Sequence, residues 1–284
     1  MRVTLTGTGL MGYPMVETLL NADYEVIAWN RTREKAEPLE AQGATIVETP
    51  AEAIREAECT ILMVTDAAAI ESVLFGNNVD YMGKTIIQMG TIAPEESRDF
   101  SRRITNAGGD YLEAPVLGNK GHAADGELIV MVGGTMEQFN RWRILLKTFG
   151  KNLHHVGPIG SAAALKLALN QFIASITATF GLSLRLVQKN DVDTDLFMGI
   201  LRDSALYSPQ YDKKLPRILE QDYDDPNFPT QHLLKDVDLV IQAAETAHLE
   251  TAAIDGVKKV IQNAMEKGFR ETDYSSLVEG IDFE

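Results

Sequence analysis

The chain has 284 residues, 45% of them hydrophobic and 24% charged, which excludes a disordered or low-complexity scaffold and leaves room for two domains. Its 26 Lys and Arg against 41 Asp and Glu give a net charge of −15, which repels a phosphate backbone or an anionic lipid surface; neither nucleic acid nor membrane is expected as a partner. The single cysteine, Cys59, can form no intramolecular disulfide and lies in the apolar run Cys59–Val64, where packing is its expected role. The opening MRVTLTGTGLMG holds an apolar segment too short for a signal peptide and lacks a cleavage site, so a cytoplasmic protein is expected.

In chain order, the first half alternates β-rich and helical runs, the pattern of a parallel sheet with crossover helices. Strands are predicted at Val3–Thr6, Glu25–Trp29, Thr45–Val47, Thr60–Val64, Thr85–Met89, Asp110–Glu113 and Leu128–Val132. Helices are predicted from near Gly9 to Asn21, over Glu34–Gln42, and near 94–106 and 135–147. Beyond about residue 158 the strand pattern stops, and helices are predicted at 161–189, 194–203, 231–247 and 253–267. Gly157-Pro158 marks the boundary, because proline cannot continue the preceding element and glycine permits a sharp turn. An α/β domain over 1–158 and a helical domain over 159–284 follow, with Gln221–Pro229 as an exposed connection. The apolar stretch 161–184 contains Lys166, Asn170 and Gln171, too polar for a lone membrane span, and is expected to be a helix enclosed in protein.

Gly7-Thr8-Gly9-Leu10-Met11-Gly12 follows a strand and opens a helix, the context that makes such a glycine pattern a dinucleotide site. Gly7 allows the turn, Gly9 admits the pyrophosphate and Gly12 lets helix and strand pack, while the helix N-terminus offers N–H groups to phosphate. An NAD enzyme would place an acidic residue at the end of the second strand. Here that place reads Asn30-Arg31-Thr32, whose guanidinium and hydrogen-bonding groups suit a 2′-phosphate, so NADP is the expected cofactor.

Between Gly160 and Arg185 the one charged residue is Lys166, with Leu165, Leu167, Leu169, Phe172, Ile173, Ile176 and Phe180 around it. Asn170 lies one turn further on the same face, so the pair can point together into a cleft. Two readings stay open on spacing alone. Either Lys166 is an enclosed proton donor, helped by burial and by the unfavourable helix dipole, or it snorkels to solvent while Asn170 serves the backbone.

These residues resemble the β-hydroxyacid dehydrogenase family, and most closely its glyoxylate/succinic semialdehyde reductase branch. The likeness covers essentially the whole chain: Gly7 to Met15, Asn30-Arg31-Thr32, Glu113 to Lys120 continuing to Ala124–Leu128, Gly157 to Gly160, Lys166 to Asn170, and Phe228 with Lys235-Asp236. The resemblance implies a Rossmann-type doubly wound domain, an all-helical domain joined by a long helix, and a substrate cleft between them. It implies Lys166 as general acid/base and Asn170 as a substrate holder. It places Thr91 against cofactor and substrate, Val64, Thr65 and Asp66 near the nicotinamide ribose, and Lys235 and Asp236 over the nicotinamide half, with Phe228 nearby.

Two departures from the family pattern bear on substrate choice. Leu117-Gly118-Asn119 stands where many members read Ser-Gly-Gly, which removes a hydroxyl that commonly touches the substrate, and Gly90 replaces a frequent serine. Backbone N–H groups around Leu117, Gly118 and Asn119, with Lys120 as helper, are expected to bind a substrate carboxylate. The expected reaction is hydride transfer from NADPH to a short aldehyde acid, with Lys166 donating the proton and no metal involved. The rivals are oxidation of 3-hydroxyisobutyrate or a related β-hydroxy acid, a non-catalytic NADP-binding scaffold, and a 6-phosphogluconate-type decarboxylase. The family likeness and the apolar face of helix 231–247 imply a homodimer or homotetramer.

Overall fold

A computed structural model describes residues 1–76 and 79–282, so the last two residues of the expected second domain lie outside the described residues. The strands are β1 Arg2–Thr6, β2 Glu25–Trp29, β3 Thr45–Ile46, β4 Cys59–Leu62, β5 Thr85–Gln88, β6 Asp110–Glu113, β7 Val116–Leu117, β8 Ile129–Gly133 and β9 Asn152–Gly157. The helices of the first half are α1 Gly12–Asn21, α2 Pro50–Glu56, α3 Ala67–Phe75, α4 Pro94–Asn106, α5 Lys120–Ala124 and α6 Met136–Lys147. Those that follow are α7 Ser161–Gln188, α8 Thr194–Arg202, α9 Pro209–Glu220, α10 Thr230–Thr246 and α11 Ala252–Glu266.

The sheet runs in the order β3-β2-β1-β4-β5-β6-β8-β7, with β9 beside β8. From β3 to β6 all neighbours are parallel, which is the doubly wound Rossmann order. Beyond β6 the sheet becomes mixed, because β8 runs antiparallel to both β6 and β7. The central strands are apolar on both faces, as a sheet covered by helices requires. Val3, Leu5 and Ile61 pack in one cluster with Met15 and Leu19 of α1, while Leu62 and Ile86 pack in another with Ile70, Leu74 and Phe100. Cys59 is buried in β4, and desolvation pushes its thiol far above the ordinary range, as a packing role requires.

Several elements differ from the sequence expectation. Glu34–Gln42 is not one α-helix but two 3-10 segments, Arg33–Lys35 and Glu37–Gln42. Pro38 opens the second, where it cannot donate the hydrogen bond a continuous helix needs, and Gly43 ends it in the left-handed region. Helices α2 and α3 are additional to the sequence expectation, although each begins at a capping residue: Thr49 accepts from the Glu52 N–H and Asp66 from the Ala69 N–H. Strand β9 is a further addition; its Asn-Leu-His-His-Val-Gly sequence carries little apolar signal and becomes a strand by pairing with β8. The segment 221–229 is not uniformly exposed, since Tyr223 is buried in the core of the second unit.

Contacts divide the chain into two compact units, Met1–Lys166 and Leu167 onward, a division that falls inside α7. The second unit packs Leu167, Ala174, Phe180 and Leu184 of α7 with Met198, Leu215, Leu233, Val237, Ile254 and Leu277. Among the described residues α7 is the one helix long and apolar enough to cross a membrane by length and composition. The expectation that it is enclosed on nearly every side is overturned: Phe172, Leu182 and Leu186 are 65%, 59% and 61% exposed. Core residues take one face of the helix, and an apolar stripe on the other is left open.

Candidate active site

The carboxyl ends of β1, β4, β5 and β6 lie side by side, and the predicted site residues of the first unit follow from that row. At the end of β1 the Gly7 N–H donates to the Trp29 carbonyl at 2.8 Å, with Gly7 at φ +94°. A Cβ at Gly7 would lie 2.3 Å from the Met63 carbonyl, and one at Gly12 would lie 1.8 Å from the Gly7 carbonyl. Gly9 is exposed, with no atom within 4 Å of where its Cβ would be, which leaves open space in front of the α1 N-terminus. Thr8 is 3% exposed, and its hydroxyl has no hydrogen-bond partner among the described residues. A tight glycine cradle, open space and an orphaned hydroxyl fit a pyrophosphate. Leu10 is exposed and Met11 half-buried beside them.

Asn30 ties the end of β2 to this cradle: its Oδ1 accepts the Thr8 N–H at 3.0 Å and its Nδ2 donates to the Thr32 carbonyl at 2.8 Å. Arg31 and Thr32 are exposed. Arg33 is neutralised by Glu37, Glu40 and Glu48 at 3.1, 3.5 and 2.6 Å, whereas no ion pair engages Arg31 among the described residues.

At the ends of β4 and β5, Val64 is half-buried and Thr65 exposed. The Asp66 carboxylate accepts the Ala69 N–H at 2.8 Å, so it serves as the N-cap of α3. Gly90 is clasped by Gln88, which accepts the Gly90 N–H and donates to its carbonyl. A Cβ at position 90 would come within 2.6 Å of the Val64 carbonyl, which accounts for glycine at this position. Thr91 follows, half-buried. Leu117 pairs with Ile129, and Gly118 is exposed at φ +147°. The Asn119 N–H donates to His122 Nδ1 at 3.2 Å and its side chain accepts the His122 N–H at 3.1 Å. That reciprocal cap engages the Asn119 N–H in starting α5. Lys120 is half-buried at the first position of α5.

Lys166 stands in the second turn of α7 and is half-buried, between the two readings that spacing left open. Asn170, one turn on, is 3% exposed and donates to Asp236 Oδ2 at 2.6 Å. Asp236 Oδ1 lies 2.8 Å from the Lys235 ammonium. The structure thus joins Asn170, Lys235 and Asp236 into one polar cluster in the second unit. Asn170 Oδ1 is buried with no partner among the described residues, an acceptor left for a ligand. Phe228 is half-buried, 5.9 Å from the Tyr274 ring and 6.4 Å from His232, whose pKa burial and then Lys235 push down. His232 carried no sequence signal, being one of several polar residues on α10. Glu113, at the head of the Glu113–Lys120 motif, is a buried carboxylate bound to the first turn of α7.

The first unit is a dinucleotide-binding α/β domain by its strand order and its glycine cradle. Residues 2–157 match the family described as the NAD-binding domain of 6-phosphogluconate dehydrogenase, and residues 160–281 match the NAD-binding family of NADP-dependent 3-hydroxyisobutyrate dehydrogenase. The chain is 31% identical to glyoxylate/succinic semialdehyde reductase 1 of Arabidopsis thaliana, covering 100% of this chain and 99% of that one. It is 30% identical to the chloroplastic reductase 2 of the same plant, over 97% of this chain and 78% of that one. Its fold is shared with a 3-hydroxyisobutyrate dehydrogenase of Mycobacterium tuberculosis at a TM-score of 0.90 and 20% identity, covering 99% of each chain. The chain belongs to the β-hydroxyacid dehydrogenase family of NAD(P)-binding oxidoreductases.

Proposed function

We propose that the protein reduces short aldehyde acids, of the glyoxylate and succinic semialdehyde type, with NADPH, and that Lys166 is the proton donor. The observation that carries the reading is the lysine of α7 with, one turn on, a buried asparagine whose Oδ1 is left unpaired. Arg31, free of ion pairs among the described residues, supports a 2′-phosphate and therefore NADP, as does the NADP-dependent family matched over 160–281. The 31% identity to a reductase of that substrate class supports the direction.

When bound, the nicotinamide supplies the hydride chemistry. Lys166 holds a proton at Nζ and delivers it to the substrate oxygen, and its ammonium stabilises the charge developing there. Asn170 offers Oδ1 to the hydroxyl that results, with its amide held in place by Asp236. Lys166→Ala is expected to keep NADPH binding in a fluorescence titration and to lose at least about a hundredfold in turnover. Near-normal turnover refutes the role. A panel of glyoxylate, succinic semialdehyde and 3-hydroxyisobutyrate separates reduction from the oxidative alternative.

Self-association belongs to the same proposal. Neighbouring helices α7 and α8 carry exposed apolar side chains (Phe172, Leu182, Leu186; Leu196, Ile200), whereas those of α10 are buried or half-buried, so the face moves from the helix that sequence pointed to. A second copy covering that stripe makes a dimer that Phe172→Glu with Leu186→Glu dissociates in light scattering.

A further inference from the structure

Glu113 ends β6 and is 1% exposed. Its Oε1 accepts the backbone N–H groups of Gly160 and Ala162 at 2.8 Å each and of Ala163 at 3.2 Å. Its Oε2 accepts from the Ser97 hydroxyl, which in turn lies 3.0 Å from the Tyr111 hydroxyl. An α-helix begins with N–H groups that have no partner inside the helix, and a side chain at the cap position ordinarily covers them. Position 160 is glycine at φ +94° and has no side chain to offer. A Cβ there would also lie 2.7 Å from the Arg98 guanidinium. The cap for α7 therefore comes from another strand, 47 residues earlier in the chain.

The surroundings are built around this carboxylate. Gly133 faces Glu113 across the β6–β8 pairing, and a Cβ on it would come 2.3 Å from Glu113 Oε1. Burial raises the Glu113 pKa above its ordinary 4.5, against the pull of Ser97 and the three N–H donors. Lys166 follows Ala163 by one turn, about 4.5 Å further along the axis.

We propose that Glu113 is a positioning residue: by gripping the first turn of α7 it sets the start and register of that helix, and with them the place of the Lys166 amine. The inference rests on Lys166 as the proton donor. The side chain's length matters, because aspartate at this position would draw the carboxylate back by one methylene and could not hold both Ser97 and the helix N–H groups.

The test compares Glu113→Gln, Glu113→Asp and Ser97→Ala, each alone and combined with Lys166→Ala. Three readouts are followed: amide hydrogen exchange over residues 158–170, NADPH binding, and turnover of glyoxylate with NADPH. In Glu113→Gln the carboxamide oxygen still accepts the three N–H groups and its NH2 meets Ser97, so turnover stays within about threefold. Glu113→Asp speeds exchange of the first turn of α7 and lowers kcat by about tenfold or more, with NADPH affinity held within about twofold. Combined with Lys166→Ala it brings no further loss, as expected of a residue acting through the lysine.

Faster exchange with wild-type kcat, or an equal loss in both backgrounds, overturns the proposal. Unchanged exchange in Glu113→Asp also overturns it, whatever becomes of the lysine. Normal turnover in Lys166→Ala alone instead sinks the reading of Lys166. If Glu113→Asp fails to fold, Ser97→Ala, which removes one anchor of the carboxylate, carries the same expectation at about threefold, and a wild-type kcat there overturns the proposal.

Discussion

The two units bury carboxylates to different ends. In the first, Glu113 has both oxygens satisfied, one by the α7 N–H groups and one by Ser97. In the second, Asp236 accepts from Asn170 at Oδ2 and has the Lys235 ammonium 2.8 Å from Oδ1, and the asparagine it holds keeps its own Oδ1 without a partner among the described residues. A buried polar group paired at every atom is held by the fold alone, whereas one oriented by neighbours with an atom left vacant beside the proposed proton donor is a candidate to meet a ligand. Lys214 and Asp273 form a buried ion pair inside the second unit: they are 2.7 Å apart, side chains 10% and 0% exposed, with Ser275 also donating to Asp273 Oδ1, while Asp273 Oδ2 has no hydrogen-bond partner among the described residues.

Removing one partner of this buried ion pair has the largest expected effect on stability. Lys214→Ala leaves the Asp273 carboxylate buried without its ammonium and is expected to cost about 3–5 kcal/mol in chemical denaturation. A loss below about 1 kcal/mol, the worth of an exposed pair, means that the pair is not held as a buried charge.

Removing the vacant acceptor acts on substrate. Asn170→Ala is expected to lower kcat/KM for aldehyde acids by about tenfold or more, the worth of one good hydrogen bond, with NADPH affinity unchanged in titration. Activity equal to wild type would mean that Oδ1 meets no ligand.

At the cofactor end, Arg31→Ala is expected to weaken NADPH by roughly fivefold and leave NADH unaffected, as paired titrations with the two nucleotides measure. The mildest effect is the pH slope of Glu113. Its folded pKa lies above its ordinary 4.5, so the fold binds that proton more tightly than the unfolded chain does. Stability from this group is then full below pH 4.5 and declines as pH rises through the folded value, by at most about 1.4 kcal/mol per pH unit. Glu113→Gln lacks that slope, so the Tm difference between wild type and variant should change from pH 4.5 upward; parallel curves count against it.

Much of this was readable locally. The glycines from Gly7 to Gly12 act within one turn of chain, and the alternating runs marked β1 to β6 because a doubly wound sheet needs apolar strands between helices. Glu34–Gln42 misled because helix propensity spoke louder than Pro38. Helix α7 misled because leucine and phenylalanine occur all around it, and composition alone cannot say which face meets the core.

By itself the sequence determined strands β1 to β6, the dinucleotide cradle and the spacing of Lys166 and Asn170, since each depends on residues close along the chain. The tertiary structure alone decided which side of α7 is open, that Asn119 caps α5, that Asp236 orients Asn170, and that Glu113 starts α7. Those pairings join residues far apart in the chain, and burial and hydrogen-bond geometry choose among many such pairs only once the backbone has closed around them.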